Sequence, residues 1–179
     1  MAHSDRVAIL GGTFSPIHAG HRALLHKAFQ TASHDGDGDG DGHLVVALAS
    51  TALAERTRSD PEHVDLIQPF EERRERLEAE LERMAGAYTA SFEVTRLDDA
   101  FGPAATREDV DALVAAPEAK AQRRAYELNE RRRDAGLPPL EVHIPPFVVA
   151  EDGERISGTR IRNGEIDVHG RLLDSATEE

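Results

Sequence analysis

An α/β fold around a parallel sheet is predicted from two features of the chain. Short β-rich apolar runs alternate with longer amphipathic stretches, and those runs read as strands buried on both faces, the pattern of βα units. Arg6 to Leu10 reads as the first strand, Ala19 to Ala32 as a helix, and His43 to Ala49, rich in Val and Leu, as the second strand. From Pro69 to Met84 the spacing predicts a helix: Phe70, Leu77, Leu81 and Met84 fall near one face, and Glu72 and Arg76 form an i,i+4 pair. Phe92 to Leu97, Ala112 to Ala116 and Val142 to Val149 are the later strands. A charged helix from Glu118 to Ala135 separates the last two, and Gly136, Pro138 and Pro139 end it, since glycine accepts the left-handed turn and proline cannot continue a helix.

The 179 residues suffice for one domain with its own core, so a single domain over 1–179 is expected. A formal net charge of -13 argues against broad binding to nucleic acid or an anionic membrane, both of which reward clustered Lys and Arg. Anionic ligands remain compatible with local convergence of basic groups. Without cysteine there is neither a disulfide framework nor thiolate chemistry, and no apolar run suggests a signal peptide or a spanning helix, so a cytoplasmic protein is expected. Lysine occurs only at Lys27 and Lys120. An acidic, lysine-poor surface suits a high-salt cytoplasm, where screening weakens its self-repulsion.

Asp and Gly alternate from Asp35 to Gly42. A calcium loop starting at Asp35 would need Glu at its twelfth position, where Val46 stands, so a flexible solvated connection is expected instead. A disordered tail is expected near 174–179.

Directly after the first strand comes Gly11-Gly12-Thr13-Phe14-Ser15-Pro16-Ile17-His18-Ala19-Gly20-His21. Small residues there let the backbone approach an anion, and the helix that follows offers N–H groups and a favourable dipole. With a helix beginning near Pro16, His18 and His21 project from one side of its first turn, where two imidazoles can donate to phosphate oxygens. A zinc site is disfavoured, because two histidines have no cysteine and no third ligand nearby. Neither Gly-x-Gly-x-x-Gly nor Gly-Lys-Ser/Thr follows the strand, which excludes the dinucleotide-binding and P-loop readings. Near the C-terminus, Ile156-Ser157-Gly158-Thr159-Arg160-Ile161-Arg162 offers Ser157 as an N-cap and Arg162 as a multidentate phosphate donor.

The first stretch resembles the GTFDPxHxGH motif, and the second the ISSTxIR motif, of the HxGH nucleotidyltransferase superfamily, whose Rossmann-like fold is a doubly wound parallel sheet. Within it the chain is most similar to the archaeal phosphopantetheine adenylyltransferases. That likeness runs through Arg22-Ala23-Leu24-Leu25, Pro69-Phe70-Glu71-Glu72-Arg73, Pro117-Glu118-Ala119-Lys120, Gly136-Leu137-Pro138-Pro139-Leu140 and Ala150-Glu151-Asp152-Gly153-Glu154-Arg155. Three positions depart from the pattern: Ser15 replaces Asp, Gly158 replaces the second Ser of ISSTxIR, and the basic residue expected after the second strand falls to Arg56 or Arg58.

The resemblance implies transfer of AMP from ATP to 4'-phosphopantetheine, giving dephospho-coenzyme A and pyrophosphate, a step of coenzyme A synthesis. Gly11, Gly12, Thr13 and Phe14 would form the loop around the reacting phosphates, with Thr13 on the attacking one. His18 and His21 would serve the α- and β-phosphates, Arg56 or Arg58 the acceptor or transition state, and Ser157, Thr159 and Arg162 the β- and γ-phosphates. Lys120, Asn129 and Arg132 join the substrate-binding set, although a solvated helix face explains them as well. Mg2+ would accompany ATP, with no metal held by protein ligands alone. A nicotinamide mononucleotide, flavin or cytidylyl acceptor, and a non-catalytic adenine-nucleotide sensor, stay open as alternatives.

Overall fold

The computed structural model describes residues 6–33, 42–57 and 66–173. Five parallel strands, β1 (Val7–Gly12), β2 (His43–Ala49), β3 (Ser91–Leu97), β4 (Ala112–Val114) and β5 (Glu141–His143), stand in the order β3-β2-β1-β4-β5. The doubly wound parallel sheet anticipated above is therefore present. Helices α1 (Ala19–Ala32), α2 (Thr51–Thr57), α3 (Phe70–Ala85), α4 (Ala119–Asp134) and α5 (Gly158–Arg162), with a short 3-10 turn at Gly102–Ala105, fill the connections.

Alternate residues of the central strands serve two separate cores, which is why those strands are apolar at nearly every position. Ala8, Leu10, Leu44, Val46 and Leu48 pack under α1 and α3 against Leu24, Leu25, Phe29, Leu77 and Leu81. On the opposite face Val7, Ile9 and Val45 meet Ala104, Val110, Leu128 and Leu140. Burying each of the larger aliphatic side chains contributes about 1.5–3 kcal/mol before the entropy of ordering is set against it.

Two elements differ from expectation, the last strand and helix α2. The strand expected over Val142 to Val149 ends at His143, because Pro145 and Pro146 have no N–H to donate to a ladder; Val149 then makes only an isolated antiparallel bridge to Arg155. The first helix runs over Ala19–Ala32, the span expected for it, so the start near Pro16 used to place the histidines gives way to His18 as N-cap. Helix α2 was not anticipated. Gly136, at φ 77°, supplies the left-handed residue that ends α4, as its sequence suggested. The Asp/Gly run lies outside the described residues except for Gly42, and so does the segment 174–179.

Strand order reverses direction at β1: chain leaving β1 turns towards β2, and chain leaving β4 turns towards β5. In an open parallel sheet this reversal leaves a crevice beyond the carboxyl ends of the two strands, the ordinary place for a ligand.

Candidate active site

Both sequence motifs open into that crevice. A cleft of about 260 Å³ is lined by Gly11 to Ser15, His18, Gly20 and His21 from the β1–α1 connection, and by Arg155 to Thr159 and Arg162 from the far end of the chain. Ala116, Pro117 and Glu118, after β4, form a third side, and Pro146, Phe147 and Val148 an apolar end.

The histidine pair is built by helix capping. His18 holds extended backbone angles, and its Nδ1 accepts the His21 N–H at 3.4 Å, which leaves the two rings stacked with centroids 3.8 Å apart. The His21 ring also lies 4.8 Å from that of Phe14, whose side chain is buried and whose backbone sits at φ 50°. The His21 ring is buried on the cleft wall, and a hydrogen bond with the Pro16 backbone works against the effect of burial on its pKa. Burial, then the neighbouring Arg155, Arg162 and Arg22, lowers the His18 pKa to about 4; burial, followed by His18, holds His21 well below its ordinary range. Both rings are neutral at pH 7 in the free protein, and a polyphosphate beside them would favour protonation.

Linkage follows from the same depression. An unfolded histidine takes its proton near pH 6.5 and folded His18 only near 4, so acidification through that interval favours the unfolded chain. Urea unfolding is expected to give constant stability above about pH 6.5 and a progressive loss between 6.5 and 4. A His18→Gln variant is expected to flatten that dependence, and an identical slope in the variant would contradict the assignment.

Across the cleft, Ser157 caps α5 by accepting the Arg160 N–H at 3.3 Å. Arg162 donates to the backbone carbonyl of Ser15 and to Thr159 Oγ1 at 3.2 Å, so one guanidinium joins the two motifs. Gly158 gives it room: a Cβ there would lie 2.7 Å from Arg162 Nη1 and 3.2 Å from the Ser15 carbonyl oxygen. Ser15 keeps an acceptor of its own, its Oγ taking the Gln68 N–H at 3.1 Å.

Behind the β1 turn lies a second cavity of about 190 Å³, sharing Gly11, Gly12, Thr13 and Ala116 with the first. It is mostly apolar, lined by Leu53, Leu97, Phe101 and Leu128 among others, and among the described residues Arg124 is its only charged lining residue.

Residues 9–164 match the family model described as cytidylyltransferase-like. The chain belongs to that family. Among curated relatives of this cytidylyltransferase-like chain, the phosphopantetheine adenylyltransferase of Methanosarcina mazei is 37% identical over 171 residues, covering 96% of this chain and 99% of that protein. That of Methanosarcina acetivorans is 38% identical over 167 residues, covering 93% and 95%. A bifunctional phosphopantetheine adenylyltransferase/NTP phosphatase from Thermoplasma volcanium is 36% identical over 167 residues; these are 93% of this chain but only 45% of that protein. Among solved structures, a protein with unknown function from Archaeoglobus fulgidus shares the fold, with a TM-score of 0.60, 21% identity, and coverage of 77% of this chain and 96% of that one.

The remaining expected site residues of the cytidylyltransferase-like chain lie elsewhere. Arg56 is exposed and donates to the Asp98 carbonyl at 3.1 Å, lining neither cavity, and Arg58 lies outside the described residues. Lys120 reaches the Thr57 carbonyl at 3.3 Å. Asn129 exchanges two hydrogen bonds with the backbone of Leu140, and Arg132, fully buried, donates to the carbonyls of Pro138, Ala104 and Arg107. Asn129 and Arg132 thus do not form part of either cavity wall, because their donors hold the turn after α4 and its neighbours together.

Among the lining residues that the sequence did not assign to a site are Glu118, Arg155 and Phe147 in the first cleft and Arg124 in the second. Glu118 and Arg155 form an ion pair across the first cleft, which nothing in their sequence positions announces. A usable signal did exist for Arg124, since Ala121, Arg124, Ala125 and Leu128 fall on one face of α4. Among the described residues no group of three or more His, Cys, Asp or Glu side chains is placed to hold a metal ion, and no helix is long and apolar enough to cross a membrane.

Proposed function

We propose that this chain is a pantetheine-phosphate adenylyltransferase, joining AMP from ATP to 4'-phosphopantetheine with release of pyrophosphate. The observation that carries the reading is the common wall: Gly11 to Thr13 and Ala116 separate a polar cleft bearing the histidines and Arg162 from an apolar cavity. Two reactants of those two characters meet at that wall. The relatives' names supply the acceptor.

MgATP lies in the polar cleft, its triphosphate against His18, His21, Ser157, Thr159 and Arg162, and its base against Pro146, Phe147 and Val148. The neutral pantetheine arm fills the apolar cavity and presents its phosphate at Thr13. An oxygen of that phosphate attacks the α-phosphorus in line, the bond to the β-phosphate oxygen breaks, and pyrophosphate leaves with the electron pair. A phosphate dianion needs no general base, so the protein's task is to position two anions and to stabilise charge on the pentacoordinate phosphorus. Arg162 provides a planar donor set, and the neutral histidines become better donors as phosphate raises their pKa. Glu118, the one carboxylate among the described residues that line the cleft, is paired with Arg155, so magnesium enters as part of the substrate on ATP oxygens and water. We place this chemistry in the cytoplasm, at the high salt that the acidic, lysine-poor composition suits.

Pyrophosphate release tests the reading directly. With MgATP, release is expected with 4'-phosphopantetheine and not with nicotinamide mononucleotide or flavin mononucleotide. Release with one of those instead would reassign the acceptor, and ATP binding without release from any of them would leave a nucleotide sensor.

A further inference from the structure

Three arginines line the two cavities, and they differ in what they do inside the protein. Arg155 is paired with Glu118, and Arg162 spends donors on Ser15 and Thr159. Arg124 is different. Among the described residues that line either cavity, it is the one cationic side chain with neither a hydrogen bond nor an ion pair. It projects from α4 beside Ala121, Ala125 and Leu128, partly withdrawn from solvent, into a cavity with no carboxylate among the described residues that line it. In a chain with 34 acidic against 21 Lys and Arg residues, a half-buried guanidinium with no acidic partner is held ready for an anion from outside.

We infer that Arg124 binds the phosphate of the acceptor, an assignment that rests on the function proposed above. 4'-Phosphopantetheine carries its charge on the phosphate alone; the arm is a neutral chain of amides and methylenes. A cation on the wall of the cavity that takes this molecule therefore has a single group to serve. The same cavity includes Gly12 and Thr13, so a phosphate held there lies beside the wall across which ATP sits. Of the two arginines expected to serve the acceptor, Arg56 is committed to the Asp98 carbonyl outside both cavities, and Arg58 lies outside the described residues. Its planar fork suits bidentate contact with phosphate oxygens, which a lysine makes only as a point charge.

Steady-state pyrophosphate release by wild type, Arg124→Gln and Arg124→Lys, with each substrate varied in turn, tests the assignment. Arg124→Gln is expected to raise KM for 4'-phosphopantetheine at least about tenfold, equivalent to about 1.4 kcal/mol, and to leave KM for MgATP within about twofold. Arg124→Lys should recover part of the loss. Thermal midpoints of both variants should match wild type, since the side chain holds nothing in the protein. Wild-type KM for the acceptor in Arg124→Gln, an equal rise for MgATP, or a lowered midpoint accompanying the defect would each overturn the assignment while the function stands. A wild-type protein that releases no pyrophosphate with this acceptor would overturn the function, and the assignment with it.

Discussion

Arg73→Ala is expected to remove about 3–5 kcal/mol of folding stability, a large share of what a domain of this size possesses. The side chain is fully buried, and its donors satisfy three backbone carbonyls: Gln68 through Nε at 2.8 Å, and Thr13 and Ala49 through Nη1 at 3.0 and 2.8 Å. Those carbonyls belong to the β1 turn, the end of β2 and the approach to α3, so one guanidinium ties together three segments around the active-site loop. Each carbonyl left buried without a donor costs about 1–3 kcal/mol, moderated where water enters the space. Arg73→Lys should rescue only partly, because an ammonium lacks the planar fork that spans three acceptors. Guanidinium chloride unfolding reads the effect as a shift of midpoint, and an unchanged midpoint in the alanine variant would show that the carbonyls find other donors.

His21→Ala is expected to lower kcat at least about tenfold, which requires the loss of only about 1.4 kcal/mol of transition-state stabilisation. The ring stands between His18 and Phe14 on the wall of the cleft. If it donates more strongly as charge builds on the α-phosphate, kcat falls further than KM for MgATP rises. Turnover equal to wild type in a folded His21→Ala protein would remove the imidazole from the chemistry.

The sheet was legible because its central strands are buried on both faces, which forces unbroken apolar runs such as His43 to Ala49. Helix α2 was not: Thr51–Thr57 buries only Leu53 and Ala54, too little to impose a period on seven residues. Buried polar residues were not legible. Arg73 and Glu80 stand on the buried face of α3, and Arg132 on that of α4, where the identity of the side chain says nothing of the carbonyls or partners that receive it. The two motifs were legible for the opposite reason: capping by His18 and Ser157 is settled within three or four residues. Arg124 depended on which helix face the sheet would cover, and only the packed molecule decides that.

Ser15 and Gly158, 143 positions apart, were read as separate departures from a pattern, yet both touch the guanidinium of Arg162. A hydroxymethyl group at position 158 would push the guanidinium off the Ser15 carbonyl, so the bare glycine keeps the first and last motifs tied together, whichever side chain stands at position 15.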